Sequence, residues 1–449
     1  MSTNDQWTRR RFLQTTAYSA AALGLAACGG GGSTAGTSGA KLSGTLRIIQ
    51  WSHFVPAYDL WFDHTWIKQW GQKNGVHVVV DHINNTDIPA RAAAEVAAQS
   101  GHDLFGFLSP PATYEDQVID HSDIVQQIEG KVGKMKDVAY KSTYNPKTKK
   151  YFGVSDNYVP DPVCYRKDLF DQVGGSVDTW DGVLAAAPRL KAMGHPIGVG
   201  MSNELDSNMA LIALLQCFEA YIQDENANVT INSKGTIDAL KFMASLYKAG
   251  ETSEIFSWDP SSNNRFLDSG KGSLILNAIS AIRTPEANAP DLAQHLYPAP
   301  IPRATTRMGL EHVMGVYVIW KFAKNKEAAK KFVVDLILNY KDAFTNSKFY
   351  NFPSFPGTVS NLDSQLQNDS AAKPANKYVV LGDIAKNYTT NVGHPGFSNA
   401  AVAETFNKFL IPQMFAQVAR GSMSAEDAAK AAEQSIKTIF EKWKGQGKI

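Results

Sequence analysis

Three short apolar runs, separated by two helix-length stretches, constrain this chain more than any other feature. Gly44 to Trp51 reads as a strand, and an aromatic-rich helix follows from Pro56 to Lys73. Val76 to Asp81 is the second strand. Its Val78-Val79-Val80 core predicts burial on both faces, as in parallel sheets. An Ala-rich helix over 88–99 leads to a third strand, His102 to Phe107. Strand and helix alternating at this spacing specify an α/β open sheet.

The pattern continues along the chain. Tyr151 to Ser155 is a strand that enters a polar, Pro-interrupted loop at 156–162, and Val163-Cys164-Tyr165 resumes it. Thr179 is placed to cap the helix from Trp180, and Asn325 and Ser424 to cap later ones. Residues 205–221 and 233–249 read as amphipathic helices, Leu274 to Asn277 as a buried strand, and Val316 to Trp320 as another. Tyr297 to Pro302 is Pro-rich and reads as a crossing between domains. The roughly 405 residues after position 44 exceed what one hydrophobic core supports, so two domains are expected.

The N-terminus carries an export pattern. Thr8-Arg9-Arg10-Arg11-Phe12-Leu13 fits the twin-arginine arrangement, followed by an Ala-rich stretch too short and too weakly apolar to span a bilayer. Leu25-Ala26-Ala27-Cys28 resembles a lipobox, in which Cys28 takes a lipid and becomes the new N-terminus. The expectation is a signal peptide over 1–27, a flexible Gly/Ser tether over 28–43, and a body held on the outer side of the cell membrane.

Removing the first 27 residues takes away Arg9, Arg10, Arg11 and Asp5 and leaves 41 basic against 42 acidic side chains. So neutral a body has no electrostatic footprint for nucleic acid. No phosphate loop, dinucleotide fingerprint, HExxH, CxxC or GxSxG is present. The ten histidines include no pair three or four residues apart that would share a helical metal face. No metal, no cofactor and no catalytic residue is expected. Cys164 and Cys217 share no metal-like spacing, and whether they pair is left open.

Several stretches resemble the sugar-type extracellular solute-binding proteins, the broad family that includes maltose-binding protein. Tyr151-Phe152-Gly153-Val154, followed by Val163-Cys164-Tyr165-Arg166-Lys167-Asp168-Leu169-Phe170, is similar to that family's crossover, with Arg166 where Asn is usual. Thr179-Trp180-Asp181 resembles its helix start, with Asp178 and Gly182 as departures. Ser269-Gly270-Lys271-Gly272-Ser273-Leu274 and Lys324 to Phe332 are similar to two further stretches. The resemblance implies a two-lobed periplasmic-binding-protein-like fold. Each lobe would be an open, mostly parallel sheet flanked by helices, and crossing hinge segments would join them. Lobe one would comprise 44–153 and 300–350, and lobe two 155–298 and 351–449. A monomer would close on a solute between the lobes and present it to the transmembrane permease subunits of an ABC importer.

A sugar offers flat CH faces and hydroxyls at fixed spacing, so its site needs aromatic rings and polar groups beyond the carboxyl ends of strands. The candidates are Trp51 and His53 after the first strand, Phe107 after the third, and Asp156, Tyr158 and Asp161 in the crossover. Asn277, Glu311, His312, Phe355 and His394 complete the set. For the aromatics the competing role is core packing, and for Asp161 a turn. A cationic solute such as a polyamine, held by Asp156, Asp161 and Glu311, is the alternative guest. A lipid-anchored hydrolase working through paired carboxylates is the alternative of another class.

Overall fold

The computed structural model describes residues 41–449. The twin-arginine segment, Cys28 and most of the tether lie outside the described residues. Thirteen strands occur among them, in chain order. They are β1 (Thr45–Trp51), β2 (His77–Ile83), β3 (Leu104–Phe107), β4 (Tyr144–Asn145), β5 (Lys150–Tyr151), β6 (Val154–Pro160), β7 (Val163–Arg166), β8 (Ile197–Gly198), β9 (Leu274–Leu276), β10 (Leu296–Ala299), β11 (Gly309–Ile319), β12 (Phe352–Pro353) and β13 (Thr389–Thr390). A seven-stranded sheet runs β12-β6-β11-β3-β1-β2, with β13 on β11, and a four-stranded sheet runs β10-β7-β9-β8.

Both sheets are mixed rather than mostly parallel. β1 lies parallel to β2 and β3, as strands returning through helices must. β11 runs antiparallel to β3 and β6, and β7 antiparallel to β9 and β10. These strands meet because the chain passes straight from one sheet to the other without a helical return. One passage is Asp161-Pro162 between β6 and β7. A second, 300–308, leads from β10 to β11 and is pinned where the Trp180 N–H donates to the Arg303 carbonyl at 2.9 Å.

Three local readings change. Residues 154–160, expected as a strand end and a loop, are one strand buried along its whole length between β11 and β12. Proline is accommodated because Pro160 is the last residue of the strand. The first sheet thus takes β6 and β12, and the chain changes sheet at Asp161-Pro162. The Val78-Val79-Val80 run is only half-buried, because β2 is the edge of its sheet. Asn325 does not cap its helix through its side chain; its Nδ2 instead donates to the carbonyls of Ser43 and Thr45.

Other signals act as read. Thr179 Oγ1 accepts the Gly182 N–H at 3.0 Å, and Ser424 Oγ that of Asp427 at 3.0 Å, caps that contribute about 1 kcal/mol each. The helix Trp180–Ala192 buries Trp180, Val183, Ala186, Ala187 and Leu190, a periodic stripe facing the core. Cys164 and Cys217 are free and buried. Their thiols donate to the carbonyls of Asn277 and Met308. No helix among the described residues is long and apolar enough to cross a membrane.

Candidate functional site

A cavity of about 420 Å³ opens between segments belonging to the two sheets. From the first sheet come Phe107 at the end of β3, Tyr114 just beyond it, and Asn85 in the turn after β2. The opposite wall is Asn203 and Glu204 at the start of the helix Leu205–Cys217, then Trp258 and Phe409. Rings thus face the space from both sides, and amides sit among them, a composition suited to flat polyhydroxy guests. Asn85 Nδ2 is buried without a hydrogen-bond partner among the described residues.

Phe409 joins the helices Ala400–Asn407 and Leu410–Ala419 with φ of 53° and ψ of 37°. A bulky residue in the left-handed region is strained by about 1–3 kcal/mol and persists only where its surroundings hold it. Here that conformation places Phe409 in the cavity wall.

The cavity carboxylates are already engaged. Glu204 caps the helix Leu205–Cys217, accepting the N–H groups of Asp206 at 2.6 Å and of Ser207. Burial and the nearby Asp206 raise its pKa above the usual range. Asp259 pairs with Arg265 at 2.8 Å, and both side chains are well exposed.

Of the residues singled out from the sequence, only Phe107 lines this cavity. Trp51, His53 and Asp156 share with it a second space of about 30 Å³ at the ends of β1 and β3, room for roughly one water. His53 is not free to bind a solute. Its Nδ1 accepts the Val55 N–H at 2.8 Å, so Nε2 carries the proton and donates to Asn351 Oδ1 at 3.1 Å. Burial holds its pKa down at about 4, so it is neutral.

Two β-bulges decide where the crossover side chains point. Pro160 and Val159 pair with Glu311 and Val313, leaving His312 as an extra residue on β11. Asn157 and Ser155 pair with Gly315 and Val316, leaving Asp156 extra on β6. A bulge re-aims its odd side chain. Gly315 is required beside the second bulge, because a Cβ there would lie 2.3 Å from Asn157 Nδ2 and 2.9 Å from Asp156 Oδ1.

His312 is thereby directed into a sealed polar network. Its Nδ1 lies 3.3 Å from Asp161 Oδ1 and its Nε2 3.6 Å from Asp206 Oδ1. Asn263 Nδ2 donates to Asp206 Oδ2 at 2.8 Å, and Asn277 bridges Asp206 and Asn264. Burial disfavours the imidazolium, but Asp206 and Asp161 outweigh it and raise the His312 pKa to about 9. Asp161, Asn277 and His312 are therefore brought together, but in packed interior beside the cavity rather than on its wall.

The remaining candidates serve packing. Glu311 Oε1 accepts the Val392 N–H at 3.1 Å and fastens a distant loop. Tyr158 packs against Phe352 under the Lys136 ammonium. Phe355 is fully buried in the core, and His394 meets Tyr221 edge-on at 5.5 Å, away from the cavity. The residues that sequence reasoning missed are Asn85, Tyr114, Asn203, Trp258 and Phe409. Asn85 alone carried a usable signal, lying just past a strand end.

Two mixed α/β halves joined by direct crossings, with a ring-lined cavity between them, define a solute-binding protein of the periplasmic type. The chain belongs to the bacterial extracellular solute-binding protein family, whose model matches residues 62–337. No curated protein sequence matches it. Among solved structures it is similar to maltose-bound MalE3 of T. maritima, with 17% identity, a TM-score of 0.71, and coverage of 88% of this chain and 100% of that one. The GacH receptor of Streptomyces glaucescens, solved unliganded and with acarbose, gives 17%, 0.72, and 89% and 99%. A sugar transporter protein from Arthrobacter chlorophenolicus with bound laminaribiose gives 16%, 0.71, and 88% and 99%. At these identities the likeness is one of fold.

Proposed function

We propose that this protein captures a sugar or oligosaccharide outside the cytoplasm and delivers it, unchanged, to the permease of an ABC importer. The observation that carries the reading is the cavity itself, with Phe107 and Tyr114 on one side and Trp258 and Phe409 on the other. Rings on both walls suit a guest with two flat faces, and a cleft between two halves suits one held by closure. The solved structures it resembles include ones with maltose, laminaribiose and acarbose bound. In this reading the first sheet and its helices form one lobe, the second sheet with its helices the other, and the protein works as a monomer. Cys28 carries the lipid that holds it at the membrane after twin-arginine export.

A cationic guest is disfavoured by the state of the carboxylates. Glu204 is occupied by backbone N–H groups and Asp259 by Arg265, while Asp156, Asp161 and Glu311 do not line the cavity. The same engagement speaks against Glu204 and Asp259 acting as an acid–base pair on a bound sugar.

Thermal unfolding of the purified protein against a panel of mono- and oligosaccharides and polyamines tests this. The midpoint should rise with sugar concentration by mass action, and the sugar should be recovered intact. A rise with polyamines alone, or recovery of cleaved sugar, overturns the reading.

A further inference from the structure

Beside the main cavity lies another of about 490 Å³, and Asn203 and Trp258 line both. Its own walls are Ser202, Phe256, Gln413, Gln417 and Arg420, so it is more polar than the main cavity and holds a guanidinium. Trp258 stands between the two spaces as a fixed partition. Its ring packs on Phe266 at 5.3 Å, and its carbonyl accepts the Ser202 hydroxyl at 2.7 Å. Gly198 permits that packing, since a Cβ there would come within 2.6 Å of the Trp258 ring and 2.7 Å of Phe266.

The charge in the second space is unbalanced. No Asp or Glu lines it, and Arg420 is the one charged residue on its wall. The Arg420 guanidinium lies over the Phe256 ring, 4.2 Å from its centroid. Among the described residues it forms neither an ion pair nor a side-chain hydrogen bond. A guanidinium over a ring face with no protein partner keeps its N–H groups available, and they match a planar carboxylate with two parallel hydrogen bonds. The main cavity differs: its two carboxylates are both engaged, and rings line both of its sides.

We infer that the solute is an acidic oligosaccharide, its neutral rings lying between Phe107 and Trp258 and a uronate carboxylate reaching past Trp258 to Arg420. This rests on the sugar-binding reading above and narrows it to a substrate class. The guest must be long enough to pass the Trp258 partition, so a monosaccharide does not satisfy both spaces.

The test is a competition. Wild type and Arg420→Gln are incubated with pooled partial hydrolysates of glucuronoxylan, pectin and alginate, mixed with neutral cello-, malto- and xylo-oligosaccharides. Bound species are recovered and identified by mass spectrometry. Arg420 is exposed, so the variant should fold. Wild type should retain uronate-bearing oligomers over neutral ones of equal length by about tenfold, the scale of one charged hydrogen-bonded contact. The variant should lose that preference while its retention of neutral oligomers is unchanged. Equal retention of neutral and acidic species, or a preference that survives Arg420→Gln, overturns this inference and leaves the sugar reading standing. Retention of no oligosaccharide at all removes both.

Discussion

Glu204 and Asp206 stand two residues apart at the start of one helix, yet they belong to regions built on opposite plans. Asp206 and Asp161 both face His312 in a network closed to solvent, where buried charge meets opposite charge. Glu204 borders a cavity walled by rings, where the carboxylates are engaged by backbone or by Arg265 and Asn85 Nδ2 is left without a partner among the described residues. Buried charge must find its partners within the fold, whereas a ring tolerates an empty space beside it until a guest arrives. The first plan fixes the junction between the sheets, and the second leaves room for binding.

The largest effect should come from the closed network. His312→Leu removes the cation between Asp161 and Asp206, and the stranded carboxylates should cost about 3–5 kcal/mol of unfolding free energy. Urea unfolding checks this, and a loss below ~1 kcal/mol would place the imidazole outside any ion pair. The same residue sets a pH dependence. His312 is held near 9 in the fold against an ordinary 6.5. Its contribution is therefore complete below pH 6.5 and fades as pH rises through 9, by on the order of 3 kcal/mol. His312→Gln should flatten that decline. His53 has the opposite sign, since its folded value falls to about 4. Its contribution is present above pH 6.5 and lost as pH drops toward 4.

Effects in the cavity should appear in affinity. Trp258→Ala should weaken binding of the best oligosaccharide by about 2 kcal/mol, as for a central aromatic anchor, in calorimetric titration. Its stability loss is measured alongside, and Trp258→Phe should recover much of both. The smallest effect belongs to Arg265→Gln, which breaks the exposed pair with Asp259. Stability should shift by less than ~1 kcal/mol. A larger shift would mean that the cavity rim carries structural weight the comparison denies it.

Much of the fold was legible because its signals are local. The early strand–helix alternation, the Thr179 and Ser424 caps and the buried run at Leu274 each follow from residues within one turn or one strand. The stretch from Asp156 to Pro160 was misread because its composition belongs to loops, and only pairing with β11 and β12, distant in sequence, makes it a strand. The site was less legible. Searching beyond strand ends found Phe107 and missed Trp258 and Phe409, which come from irregular connections. The backbone twist that places Phe409 in the wall leaves no trace in composition. His312 and Asp156 were singled out for their chemistry, but the bulges that turn them inward depend on the register between β6 and β11.

That register also ties two of the passages together. β6 and β11 are neighbours, with Pro160 opposite Glu311, so the chain leaves for the second sheet at Asp161 and returns at Gly309 through adjoining points of one ladder. A substitution that slips this ladder by one residue would displace both passages at once.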